Sequence, residues 1–242
     1  MFGLDLTGKI AVVTGSGRGI GKQIAVMLAE HGANVVLTAR TDAEIQKVRQ
    51  EICDAGGSAV AKVADVTSEA AVAALFAYVA SEFGMLDILV NNAGVGLFGP
   101  LAEMRAEDFD ATVAVNMRGT FLCSQQALRM MIRACGGYII NIASIVGLRG
   151  YPDQAAYSAA KHGVMGLTKS LAAETQKYGI RVSAILPGGV DTDMVRRSRP
   201  DLDVSELLHP SDVAQAVEYL LSLSDRASVD EIYIRRRNSK PF

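Results

Sequence analysis

Ile10-Ala11-Val12-Val13-Thr14-Gly15-Ser16-Gly17-Arg18-Gly19-Ile20-Gly21 decides the fold of this chain. An apolar run with β-branched residues meets four glycines at alternate positions. Ile20, Ile24, Met27, Leu28 and His31 then recur at helical spacing until Gly32 stops the pattern. The stretch reads as a buried strand, a tight turn and an amphipathic helix. Glycine lets the turn close and brings its backbone near a ligand, while the helix N-terminus offers free N–H groups and a positive dipole end. The spacing is Gly-x3-Gly-x-Gly rather than the commoner GxGxxG, and a tight turn can use glycine for steric reasons alone. Its place directly after the first strand favours a pyrophosphate site.

The same rhythm continues along the chain. Candidate strands are Ile10–Thr14, Val35–Thr38, Ala59–Val63, Ile88–Asn91, Tyr138–Ala143, Val182–Leu186 and Glu231–Ile234. They are rich in Val and Ile and mostly lack strict alternation, as expected of parallel strands buried on both faces. Longer helical patterns separate them, which suits right-handed crossovers and a doubly wound α/β sheet. With no repeat, low-complexity tract or linker, residues 1–242 are expected to form a single domain. Asp193–Pro210, polar and carrying Arg196, Arg197 and Arg199, reads as a loop with one short helix.

Composition narrows the function. Half of the 242 residues are hydrophobic and 21% are charged, with a formal net charge of −2, so no overall field recruits nucleic acid or an anionic membrane. The basic tail, Arg235, Arg236, Arg237 and Lys240, reads as solvated or interface-forming. Cys53, Cys123 and Cys135 form no CxxC pair, and with His31, His162 and His209 they show no zinc-ligand spacing; no metal is expected. The segment Met1–Lys9 lacks a basic stretch followed by an apolar one, and no apolar run is long enough to span a bilayer, so the expected location is cytoplasmic.

Cofactor choice is read at the end of the second strand. An acid about 20 residues beyond the glycines would hold the ribose 2′-hydroxyl of NAD(H). Here the chain has Thr38-Ala39-Arg40, with alanine in the acid's place. Arg40 and Arg18 are each unremarkable alone as surface residues; together they can grip a 2′-phosphate, which favours NADP(H) over NAD(H).

Tyr157-Ser158-Ala159-Ala160-Lys161 places a phenol and an amine one helical turn apart on one face. The ordinary tyrosine pKa of about 10 suits proton transfer poorly near neutrality, and an ammonium at about 4 Å would lower it towards 7. YxxxK is commonplace by chance, and a core tyrosine beside a solvated lysine explains it equally well in isolation. Ser144, thirteen residues earlier, changes the balance by ending a strand at the carboxyl edge of the sheet, where ligands bind.

In this order along the chain, TGxxxGIG at Thr14–Gly21, Asp65-Val66, NNAG at Asn91–Gly94, Asn116, Ser144, YxxxK at Tyr157–Lys161 and PG at Pro187–Gly188 with Thr192 resemble the short-chain dehydrogenase/reductase family in its compact form. The resemblance implies a Rossmann-like, seven-stranded parallel sheet with helices on both faces, assembled as a homodimer or homotetramer. It implies Tyr157 as general acid in reduction and base in oxidation, Lys161 binding the nicotinamide ribose and lowering the phenol's pKa, and Ser144 orienting the carbonyl. Asn116 would interrupt its helix and hold a water linked to Lys161. Gly15, Ser16, Gly17, Arg18, Gly19, Ile20 and Gly21 would cradle the cofactor phosphates and Asp65 and Val66 would contact adenine. Asn92, Ala93 and Gly94 would pack along the cofactor, with Pro187, Gly188, Val190 and Thr192 at the nicotinamide.

The expected activity is therefore NADP(H)-dependent interconversion of a small or medium ketone and a secondary alcohol. A second reading within the family is reduction of a 3-oxoacyl thioester on an acyl carrier protein, whose acidic surface would meet Arg129, Arg133 and Lys169. The glycine-rich ending common in those reductases is missing here, and the segment after Thr192 that forms part of the substrate lid is short. A third reading is a non-catalytic NADP-binding protein; the intact Ser144, Tyr157, Lys161 and Asn116 argue against it.

Overall fold

A computed structural model describes residues 3–199 and 202–241. Seven strands form one parallel sheet: β1 (Ile10–Thr14), β2 (Asn34–Ala39), β3 (Ser58–Val63), β4 (Ile88–Asn91), β5 (Gly137–Ile142), β6 (Ile180–Pro187) and β7 (Glu231–Ile234). Their spatial order is β3-β2-β1-β4-β5-β6-β7, so the winding reverses between β1 and β4. Crossover chains leave the carboxyl ends of these two strands in opposite directions, opening a crevice there.

The unbroken apolar runs are explained by the two packing layers. Val13, Val35, Leu37, Val90 and Ile140 face α1 (Gly19–Glu30), α2 (Asp42–Asp54) and α8 (Pro210–Ser222), where they meet Ile24, Leu28, Ile45, Val48, Val213 and Val217. Their immediate neighbours Val12, Val36, Leu89 and Ile139 point the other way, towards α3 (Glu69–Phe83), α5 (Gly119–Ala134) and α6 (Ala155–Thr175), against Val72, Phe76, Leu122 and Met131. Both side-chain directions of β1, β2, β4 and β5 are buried, so a polar alternation there would leave unpaired polar groups in a core.

α1 ends as its sequence requires. His31 follows the last turn, Gly32 takes a left-handed φ of +92°, and the His31 ring contacts the Leu4 carbonyl at 3.1 Å and Glu218 of α8 at 3.4 Å. The short α4 (Ala106–Val113) runs into a widened π-turn at Ala114–Arg118 and then directly into α5. Most of Asp193–Pro210 matches the expected loop with one helix: α7 (Asp193–Ser198) is followed by a 3₁₀ turn at Val204–Glu206, and Pro200 and Asp201 lie outside the described residues. In the tail, Arg235 donates to the carbonyls of Arg236, Arg237 and Ser239, and Arg236 faces Glu206 at 3.8 Å. Among the described residues no helix is long and apolar enough to cross a membrane, and no cluster of His, Cys, Asp and Glu could hold a metal.

Candidate active site

The crevice at the reversal point is a cleft of about 890 Å³. Along its floor lie Gly15, Gly17, Arg18, Gly19 and Ile20 from the turn, and Asp65, Val66, Ala93 and Gly94 from the ends of β3 and β4. Ser144, Tyr157, Lys161, Pro187, Gly188, Val190 and Thr192 complete it, with Arg40 at one mouth. The carboxyl ends of six different segments thus converge on one cavity, as the parallel winding requires. No side chain caps α1, so its first N–H groups face the cleft without a competing partner from its N-cap residue.

Three expected site residues, two for the cofactor and one catalytic, build this cleft rather than line it. The Ser16 hydroxyl is buried and accepts from the Thr38 amide at 2.9 Å, while the Ser16 N–H donates to the Thr38 carbonyl at 3.2 Å; both groups stitch the turn to β2. Gly21 is needed for close packing, because a Cβ there would collide with the Asn92 amide and the Gly15 carbonyl. Asn116 is fully buried in the π-turn, where its Nδ2 donates to the carbonyls of Val95 and Thr112, each at 2.8 Å. Its own carbonyl accepts from Thr120 Oγ1 at 2.8 Å, and Lys161 is not among its hydrogen-bond partners. Asn92 lines the cleft but spends its side chain on the carbonyls of Thr14 and Gly15, at 2.9 and 3.1 Å, tying β4 to the glycine turn. Asp65 accepts from the Thr67 amide and hydroxyl at 2.9 and 2.8 Å, which holds its carboxylate in place at the cleft edge.

The chemistry-bearing end is assembled by α6 lying over β5. Tyr157 is half-buried with its hydroxyl beside Ser144, and Phe98 stands edge-on to its ring with centroids 5.5 Å apart. Lys161 is 4% exposed, and its ammonium donates to the Ile142 carbonyl at 2.8 Å. Ser144 also accepts from the Val146 amide at 3.2 Å, which orients the hydroxyl at the strand end.

Here the expected acidification of the phenol is not what the structure contains. Lys161 Nζ lies 5.6 Å from the Tyr157 ring centroid and is engaged by a backbone carbonyl. Burial therefore dominates: it pushes the Tyr157 phenol up to about 12, against the pull of the Ser144 hydrogen bond, and brings Lys161 down to about 8. The Ile142 carbonyl and the Phe98 ring escape sequence reading, the first because a backbone acceptor has no residue signature and the second because the loop between β4 and α4 has no periodicity. Glu44, at the mouth beside Arg18 and Arg40, was equally silent.

Known proteins resemble this chain over most of its length. Residues 9–203 match the model of the short chain dehydrogenase family. An oxidoreductase of Thermotoga maritima is 39% identical over 206 residues, 85% of this chain and 81% of its own. A 3-oxoacyl-[acyl-carrier-protein] reductase of a Synechocystis species is 39% identical over 221 residues, covering 89% and 90%. A solved metagenomic short-chain oxidoreductase in complex with NADP superposes with a TM-score of 0.85 at 38% identity, covering 97% of this chain and 99% of that one. With its reversal-point cleft, seven-stranded parallel sheet and relatives of this kind, the chain belongs to the short-chain dehydrogenase/reductase family and is an oxidoreductase.

Proposed function

We propose that the protein reduces a small or medium ketone to a secondary alcohol, reversibly, with NADP(H) as cofactor and Tyr157 as the proton donor. One observation carries the reading: the Tyr157 phenol, beside Ser144 and one turn from Lys161, opens on the same cleft as the glycine turn. The donor set fits a dinucleotide. The uncapped start of α1 suits the pyrophosphate, Asp65 and Val66 border the place for adenine, and Arg40 suits a 2′-phosphate. Arg40 is exposed and makes no ion pair among the described residues, which leaves its guanidinium available. The solved relative bound to NADP supports the same choice.

When bound, the nicotinamide supplies or accepts the hydride. The residues of this chain do the rest. Ser144 and Tyr157 hydroxyls together fix a carbonyl oxygen by two hydrogen bonds, so the bond is polarised before reduction. Tyr157 gives up its proton as negative charge grows on that oxygen, and with a pKa pushed up to about 12 it is fully protonated at neutral pH. Lys161, anchored by Ile142 one turn from the phenol, is placed to hold the nicotinamide ribose. In alcohol oxidation the same pair runs in reverse, and the elevated phenol makes that direction need higher pH.

A 3-oxoacyl thioester is a second reading, favoured by the cyanobacterial relative. Arg129 and Arg133 are exposed one turn apart on α5 and suit an acidic carrier; Lys169 is engaged by Glu231 at 3.3 Å. A panel of ketones and 3-oxoacyl thioesters, followed by cofactor oxidation with NADPH and NADH in parallel, separates the readings. Turnover of ketones alone supports the first, turnover of thioesters alone the second. No turnover of either overturns both.

A further inference from the structure

We propose that Glu44 sets cofactor selectivity by opposing a 2′-phosphate, so that the protein uses NADH alongside NADPH. This rests on the cleft being the dinucleotide site. The acid that NAD(H) use would need is absent from the end of β2, where Ala39 stands, but the first turn of α2 returns one to the same place. Glu44 Oε1 accepts from Arg18 Nη1 at 3.2 Å, and Asp193 Oδ2 lies 3.8 Å from the same nitrogen. The guanidinium best placed to join Arg40 around a phosphate is therefore already held by two carboxylates.

Glu44 is also built into the turn rather than hung beside it. A Cβ on residue 17 would come within 2.8 Å of Glu44 Cβ and 2.9 Å of its Oε2. Gly17 is not in the left-handed region, so the glycine there makes room for this carboxylate rather than serving a strained backbone. Two guanidinium groups, Arg18 and Arg40, thus share the mouth with two carboxylates, Glu44 and Asp193, and their formal charges cancel. These two carboxylates offset the two guanidinium groups and so weaken their attraction for a phosphate bearing close to two negative charges. A carboxylate only accepts hydrogen bonds, so it suits a ribose hydroxyl and repels a phosphate. Of the two acids Glu44 is the nearer to Arg18 and the less exposed, 35% against 56%, so solvent screens it less.

The test uses adenosine 2′,5′-bisphosphate and adenosine 5′-monophosphate as probes, titrated calorimetrically into the wild-type protein, Glu44→Gln and Glu44→Ala. Removing one charge beside the phosphate should tighten the bisphosphate by about five- to tenfold, while the monophosphate keeps or loses affinity. The ratio of the two affinities should then rise at least about fivefold in both variants, and less when Arg18→Ala is combined with Glu44→Gln, because the freed guanidinium supplies part of the gain. A ratio within about twofold of wild type, with the monophosphate still bound, would reduce Glu44 to an ordinary surface ion pair and leave the dinucleotide site standing. Binding of neither probe by the wild-type protein would overturn the dinucleotide site, and this inference with it.

Discussion

Replacing Lys161 by methionine should abolish activity and stabilise the fold, and the two effects have one cause. Lys161 is almost wholly enclosed, and burial lowers its pKa from 10.5 to about 8. At about 1.4 kcal/mol per pH unit, keeping it charged in the folded protein costs about 3 kcal/mol at neutrality. Losing its hydrogen bond to the Ile142 carbonyl offsets about 1–2 kcal/mol of that, so Lys161→Met should gain about 1–2 kcal/mol at pH 7. The pH dependence is the sharper signature. Below about 8 folded and unfolded chains both hold the proton and the whole penalty applies. Between about 8 and 10.5 the unfolded chain binds it and the folded one does not, so wild-type stability climbs with pH. Tyr157 acts in the opposite sense only above 10, where the unfolded phenol ionises while the folded one stays protonated to about 12. Urea unfolding at fixed protein concentration should therefore show the wild type closing on the variant by about 2 kcal/mol between pH 8 and 9.5. A constant difference between the two across that range would refute the buried-ammonium account.

Two further substitutions probe the two ends of the cleft. Arg40→Ala should weaken NADPH binding by about tenfold or more and NADH binding by less than about twofold, measured as Kd by fluorescence titration; equal losses would remove Arg40 from the 2′-phosphate. Ser144→Ala should cut kcat by about 10²-fold with little change in cofactor Kd, and should move the alkaline limb for alcohol oxidation upwards, because the hydrogen bond that lowers the Tyr157 pKa is gone. An unmoved limb would place the serine outside the phenol's hydrogen-bonding set.

The parallel sheet was legible because its signal is chemical and local. Ile10–Thr14, Ile88–Asn91 and Glu231–Ile234 coincide with β1, β4 and β7, while β2 and β3 each begin one residue earlier than their apolar runs. Asn34 and Ser58 are polar and carry no strand signal, yet they pair with each other because their neighbours fix the register. β6 likewise gains Ile180 and Arg181 through pairing with Gly137 and Tyr138. Which residues converge on the cleft followed from the carboxyl-end rule. How they are wired did not. The turn's serine and the NNAG asparagine are spent on backbone groups, and the lysine's partner is a carbonyl; such bonds depend on approach distances that no spacing encodes. The balance between burial and charge at Tyr157 is of the same kind, since enclosure is a property of the folded surroundings.

Proton delivery is assigned to the Tyr157 phenol. Single-turnover reduction by Tyr157→Phe, with NADPH affinity measured on the same preparation, tests it most directly. Kd should stay within about twofold of wild type while the rate falls by about 10²–10⁴-fold. A rate close to wild type with cofactor bound would contradict it and assign the proton to another group.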